Sequence, residues 1–324
     1  MPETAPPLRW LFEDPDRRCQ AFRYWFRDPV VGTVNLGIHY GMRLLPIDAA
    51  SWIGAHLGAF AKYRYPDSDA RARKLWIRIR PEEADEVDEA IARLWRNVGR
   101  TMVEFSVLDR LWDEGRITLV GKENVEAARA ANRPLIGIGL HLGNWETIGL
   151  TLAHLGFEGG VIYMPPDNRF DHAIANVARG RIARKILGQS VQEVAIKARP
   201  NAAAEAFLLL ARQKKQLLVY ADELSRGRVW APAFGRELRI NGNIGNIVRL
   251  ARLTNAVVVP IYCVRLGETA NFRVIVLPPI ELARTEDRDA DIATNVAAID
   301  RLITPVIRDH LDQWFFGLDF EFDG

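Results

Sequence analysis

Several common routes to catalysis are closed to this chain by what it lacks. Its 324 residues hold two cysteines, Cys19 and Cys263. That excludes a disulfide framework and a multi-cysteine zinc site, and makes a reducing, cytoplasmic setting the simplest inference. Serine is also scarce: none of the five lies inside GxSxG, so a serine acyl hydrolase would need an unmarked elbow. HExxH, the zinc-protease signature, does not occur. Neither sign of charge dominates. The net +2 gives no global reason to expect nucleic acid, although local basic clusters could bind phosphate or an acidic protein. The opening MPETAPPLRWLFEDPDRRC carries acids and prolines where a secretory signal needs a basic end and an apolar stretch, so export is not expected. A long apolar run is missing too. The most apolar N-terminal region, 30–60, is broken by Asn35, His39, Arg43, Pro46 and Asp48 before the roughly 18 residues of a span accumulate.

What is present is enough apolar material, 48% of residues, for a large core. Length and composition fit one sizeable α/β domain with an extra N-terminal part, or two domains. Over 82–112, Val87, Ile91, Leu94, Trp95, Val98 and Met102 recur at helical steps behind an acidic start. From Ile117 onward, apolar runs at 117–120, 135–140, 161–163, 217–220, 256–264 and 272–277 alternate with helical patterns at 145–155, 170–187, 202–213 and 244–253. A final helix is expected over 290–314, with Pro305 kinking or interrupting it. The pattern predicts an α/β fold: a mixed central sheet covered by helices, behind an N-terminal helical layer. The working division is 1–115, helical and membrane-associating, and 116–324, catalytic. A helix over 49–61, carrying Trp52, Ile53, Leu57 and Phe60, could lie in a membrane interface or pack on the core.

The most informative stretch is His141-Leu142-Gly143-Asn144-Trp145-Glu146, directly after the apolar run ending at Leu140. A histidine at the carboxyl end of a buried strand, with a carboxylate five positions on, is a pattern for a base and its orienting acid. In a continuous helix, residues five apart lie roughly 140° apart around the axis, so the two meet only if His141 precedes the helix. With 41 acidic residues in the chain, spacing alone carries little weight. The other histidines, His39, His56, His154, His172 and His310, have Leu, Ala, Gly, Val and Phe at that offset. Only His141 follows a buried-strand pattern.

Competing motifs are poorer. Gly137, Gly139 and Gly143, with Glu158 downstream, suggest a dinucleotide turn, but His141 occupies that turn and Gly137 falls within the strand. Between Gly115 and Gly121-Lys122 there are five residues, and Glu123 stands where a P-loop has Ser or Thr. Arg179-Gly180-Arg181 with Arg184 and Lys185 lies on the helix expected after Asp167-Asn168. It reads either as a solvated cationic face or as donors for a phosphate or oxyanion. Asp222 and Glu223 follow the strand at 217–220; Asp222 either joins a site or braces a loop.

With these residues assembled, the chain resembles the bacterial lipid A lauroyl/myristoyl acyltransferase family, among the glycerolipid acyltransferases with an HX4D/E motif. The hexapeptide from His141 to Glu146 matches the HLGNWE block, and Arg179-Gly180-Arg181 stands at the second, basic block. Asp222, the stretch from Pro232 to Gly235, and Gly242 through Val259-Pro260 follow the family's later stretches in order, and Asn97-Val98-Gly99-Arg100 with Glu104 fits its upstream helix. Coverage runs from about residue 40 to residue 315. There are departures. Tyr163-Met164-Pro165-Pro166 lacks the family's Arg, and the run from Gln313 to Phe320 is acidic where basic residues are usual.

The resemblance implies an O-acyltransferase that moves a fatty acyl chain from an acyl carrier protein or acyl-CoA thioester to a hydroxyl of a membrane glycolipid, a lipid A precursor in the first instance. No cofactor, metal or nucleic acid is implied. His141 would be the general base and Glu146 its orienter. Asn144, Arg179, Arg181 and Asp222 would bind substrate or oxyanion, and Arg184 and Lys185 would dock the acidic carrier. The enzyme would sit at the cytoplasmic face of the bacterial inner membrane, peripheral or monotopic. Alternatives are another membrane-lipid acceptor, such as a lysophospholipid, or a silent lipid-binding protein of the same fold. The intact His141 and Glu146 argue against the last.

Overall fold

In the computed structural model, residues 5–166, 168–188, 195–198 and 201–323 are described. Asp167, expected just before the arginine-bearing helix, lies outside them. The N-terminal layer contains α1 (Pro15–Phe22), α2 (Asp28–Arg43), α3 (Ile47–Ala61), α4 (Pro66–Ile79), α5 (Val87–Glu104) and the short α6 (Leu108–Leu111). Then come β1 (Ile117–Val120), α7 (Lys122–Ala130), β2 (Leu135–Gly139), α8 (Glu146–His154), β3 (Gly159–Tyr163), α9 (Arg169–Ile182), β4 (Ala195–Lys197), α10 (Ala202–Ala211) and β5 (Gln216–Tyr220). A hairpin of β6 (Glu223–Ser225) and β7 (Arg228–Ala231) precedes α11 (Asn243–Thr254), β8 (Val257–Arg265), β9 (Phe272–Val276) and α12 (Arg288–Asp309).

The sheet order is β1-β9-β8-β2-β5-β3-β4, every pair parallel except β8 with β9. It is the mixed, helix-covered sheet that the alternating pattern predicts. Leu135-Ile136-Gly137-Ile138-Gly139 of β2 is buried throughout, as a strand with helices on both faces must be. Parallel register sets Gly139 beside Tyr220 and so carries the chain after both strands out at one level. Gly137 and Gly139 therefore serve the strand and not a phosphate turn; a Cβ on Gly139 would meet the Tyr220 ring at 2.8 Å.

Two expected helices differ in extent. The run over 82–112 is broken: 81–86 is a 3-10 stretch, and after Glu104 the chain tightens at Phe105–Val107, where Arg43 Nη1 donates to the Ser106 carbonyl at 2.7 Å. Helix α12 runs through Pro305, whose side is exposed, but stops at Asp309 instead of reaching Trp314. Beyond it, Trp314 is extended and pairs with Leu142.

The core joins the helical layer to both sheet faces. One cluster links Trp76, Leu94 and Trp95 with Ile136, Ile138, Ile299 and Trp314; another links Ile47, Val107 and Leu111 with Ile148, Leu218 and Phe272. Each such buried side chain contributes about 1.5–3 kcal/mol. That outweighs surface pairs such as Arg116 with Asp48, worth about 0–1 kcal/mol. Apolar burial, not surface ion pairing, dominates the attachment of the layer.

Helices α2 and α3 have inverted polarity. Helix α3 buries Ala50, Ser51, Gly54, Ala55 and Gly58, while Trp52 and Phe60 are 59% and 73% exposed. Helix α2 buries Asp28, Gly32 and His39 and turns Val30, Val34 and Ile38 outward. Its inner side meets α9, with Asn35 Nδ2 donating to Asp171 Oδ1 at 2.8 Å. The small inner residues of α3 bring its backbone against α5, where Gly54 and Gly58 cross Gly99. A globular surface helix shows the opposite arrangement. Among the described residues, no helix is long and apolar enough to cross a membrane.

Candidate active site

The loop after β2 is held from three sides. Gly143 adopts φ +55°, and a Cβ there would press on Cys263 O and Arg265 N at 3.0 and 3.1 Å, so this turn takes glycine. From the helical layer, Thr101 Oγ1 donates to Gly143 O at 2.9 Å. From the C-terminal segment, Gly143 N–H donates to Gln313 O at 3.1 Å and Phe315 N–H to His141 O at 3.0 Å. Thus His141 leaves the strand before α8 begins, as the spacing requires.

The carboxylate on the His141 ring is Asp222, not Glu146. His141 Nδ1 lies 2.9 Å from Asp222 Oδ1, and the His141 backbone N–H donates to Asp222 Oδ2 at 2.8 Å. Trp314 Nε1 also donates to Oδ2, at 3.0 Å, and the Asp222 side chain is wholly buried. The cause is register: β2 and β5 are neighbours, and the residues two past Gly139 and Tyr220 emerge together. With Asp222 accepting, Nδ1 carries the ring proton and Nε2 keeps its lone pair. Asp222, expected to bind substrate or oxyanion, is instead fully engaged behind the ring; an acceptor-only carboxylate does not stabilise an oxyanion.

Glu146 opens α8 and is taken by Arg179, whose Nε and Nη2 donate to its two oxygens at 3.1 and 2.5 Å. No hydrogen bond joins Glu146 to His141 among the described residues. Burial works to lower the Arg179 pKa, but the charge and hydrogen bonds of Glu146 prevail and hold it above its ordinary value. The guanidinium also lies over the Tyr163 and Phe105 rings, 5.3 and 5.7 Å from their centroids. Tyr220 sits between the two groups. Its ring is 4.4 Å from His141, its hydroxyl donates to Trp145 O at 3.1 Å, and burial followed by the Glu146 charge pushes its pKa well up.

The other expected residues part company. Asn144 is fully buried and turned inward, its Nδ2 donating to Glu104 Oε2 at 3.1 Å. The charge of Arg181 acts on His39 and Asp109. Arg184 is exposed, whereas Lys185 is paired with Asp113. Sequence reasoning missed the bracing pair: Arg265 donates to Glu104 at 2.6 and 2.8 Å, with both side chains wholly buried. Removing one partner of such a pair costs about 3–5 kcal/mol. Ser51 adds a hydrogen bond of 2.6 Å to Glu104. Glu104 stood out in the sequence only as part of the upstream helix that resembles the family's, with nothing to point to Arg265. Cys263, beneath the loop, is no nucleophile, because burial pushes its thiol up to about 11. Among the described residues, no cluster of His, Cys, Asp and Glu could hold a metal ion.

A histidine whose Nε2 has no hydrogen-bond partner among the described residues, with a buried carboxylate behind it and an arginine–glutamate pair beside it, suits proton abstraction from a hydroxyl next to a site of developing negative charge. Comparison with known proteins gives this geometry a context. The profile of the family described as bacterial lipid A biosynthesis acyltransferase matches residues 19–318. The chain is 24% identical over 276 residues to the lipid A biosynthesis palmitoleoyltransferase of Escherichia coli (strain K12), covering 83% of each. It is equally similar to a lipid A biosynthesis acyltransferase of Shigella flexneri, 24% identical with the same coverage.

Proposed function

Because the chain belongs to the bacterial lipid A biosynthesis acyltransferase family, and so is an acyltransferase, we propose that it moves a fatty acyl chain directly from a thioester to a lipid hydroxyl at the site around His141. The donor is an acyl carrier protein or acyl-CoA, and the acceptor is a membrane glycolipid, a lipid A precursor in the first instance. His141 Nε2 takes the hydroxyl proton as the oxygen attacks the thioester carbonyl. The tetrahedral intermediate collapses to the ester, and the imidazolium returns the proton to the departing thiolate. No acyl-enzyme forms. Asp222 is a positioning residue: it fixes the tautomer and offsets the imidazolium charge. Glu146 holds Arg179 in place, and Arg179 supplies the positive potential for the oxyanion. Arg184, at the exposed end of the same segment, is the first point of attraction for an acidic carrier, with Lys185 beside it.

The single observation that carries this reading is the hydrogen-bonded His141–Asp222 pair at the carboxyl ends of two adjacent parallel strands, with no hydrogen bond to Nε2 among the described residues. The enzyme works peripherally, at the cytoplasmic face of the bacterial inner membrane, through the apolar outer faces of α2 and α3. The test couples two readouts, thiol release from an acyl thioester and the mass of the lipid product. Wild type should give both. His141→Ala should lose about 100- to 10,000-fold in rate. Transfer at near wild-type rate by that variant would remove His141 from the chemistry.

A further inference from the structure

The His141 ring is enclosed by carbon. Its side chain is only 20% exposed. Tyr220, Phe316 and Trp145 stand 4.4, 4.7 and 5.2 Å from it by ring centroids, and Phe315 closes against Trp145 at 5.0 Å and Phe316 at 5.5 Å. Nδ1 is consumed by Asp222, so the reactive edge is framed by aromatic rings. Trp314 and the two phenylalanines arrive on one segment, pinned by the Phe315 bond to His141 O and the Trp314 bond to Asp222. None of these four rings belongs to the base or to its orienting acid.

A general base does not distinguish an alcohol from water. Water attacking the same carbonyl converts the thioester to free acid and thiol, with the same proton passing through His141 to the thiolate. Selectivity must come from what reaches Nε2. We propose that Trp145, Phe315 and Phe316 form a water-excluding collar that decides whether the acyl group goes to lipid hydroxyl or to water. The collar offers a water few hydrogen-bond partners, so a water at Nε2 is poorly held, whereas a lipid brings apolar surface that packs on the rings. This rests on His141 as base and on acyl transfer as the reaction. Phe315 is half-buried and Phe316 buried.

The test measures free fatty acid and acylated lipid together, using a long-chain acyl-CoA and micelles of bacterial inner-membrane lipid extract. In Phe315→Ala and Phe316→Leu, the ratio of free acid to acylated lipid should rise about tenfold over wild type. Phe316→Leu retains most of the buried volume and Phe315 is partly exposed, so neither opens a large cavity; circular dichroism checks the fold. A ratio within about twofold of wild type in both variants overturns the collar. Parallel loss of both products, with the ratio unchanged, overturns it as well. Absence of acylated lipid with the unaltered enzyme would instead overturn the acyl-transfer reading beneath it.

Discussion

At the scale of single residues, the partner of His141 is decided by where two strands end. Glu146 is five positions away in sequence and binds Arg179; Asp222 is 81 positions away and binds the imidazole. His39 illustrates the reverse case, a histidine whose surroundings deny it a proton. Burial first, then the charges of Arg181 and Arg43, hold its pKa below the ordinary 6.5, with Asp109 opposing. Below about pH 6.5 the unfolded chain binds a proton that the folded chain refuses, so stability rises with pH through that window and falls on acidification. His172 and His310, lowered chiefly by burial, act with the same sign. The melting temperature should therefore drop between about pH 7.5 and about pH 5.5, and His39→Gln should flatten part of that slope. An unchanged slope in His39→Gln would show that His39 is not among the groups responsible. The strand-end position of His141 was legible, because a buried apolar run ends just before it. Its carboxylate partner was not, since spacing along one chain cannot report which strands lie side by side.

At the scale of elements, runs such as Leu135 to Leu140 and Ala256 to Val264 were legible because strands covered on both faces are apolar without interruption. The three-residue β4 and the hairpin of β6 and β7, with Glu223, Ser225 and Arg228, are too short and too polar to show any period. Helices α2 and α3 mislead in another way: their apolar residues mark the outside. Two-thirds of the exposed large apolar side chains among the described residues lie between Leu8 and Tyr65. They include Trp25, Trp52 and Tyr63, near the exposed cations Arg23, Arg27 and Arg64. Aromatic rings beside cations suit an anionic bilayer surface. Vesicles containing phosphatidylglycerol should sediment the protein, and Trp52→Glu with Phe60→Glu should weaken binding by at least about tenfold. Equal sedimentation of the double variant, or a self-associated protein that ignores vesicles, would contradict a bilayer-facing role.

At the scale of the whole molecule, the loop that carries His141 is a meeting point. The sheet supplies His141 and Asp222, α5 supplies Thr101 and Glu104, and the segment after α12 supplies Gln313, Trp314 and the two phenylalanines. The helical layer and the sheet share one core, so the layer takes part in the site directly. In the proposed function, Asp222, reached through the fold, makes His141 a base. The most direct test of this role is the acyl-transfer rate of Asp222→Asn, which conserves shape but lets the side-chain amide favour the wrong imidazole tautomer. Asp222→Asn should lower kcat by about 100- to 10,000-fold, with a smaller change in KM and an unaltered fold by circular dichroism. Transfer at close to the wild-type rate would contradict it.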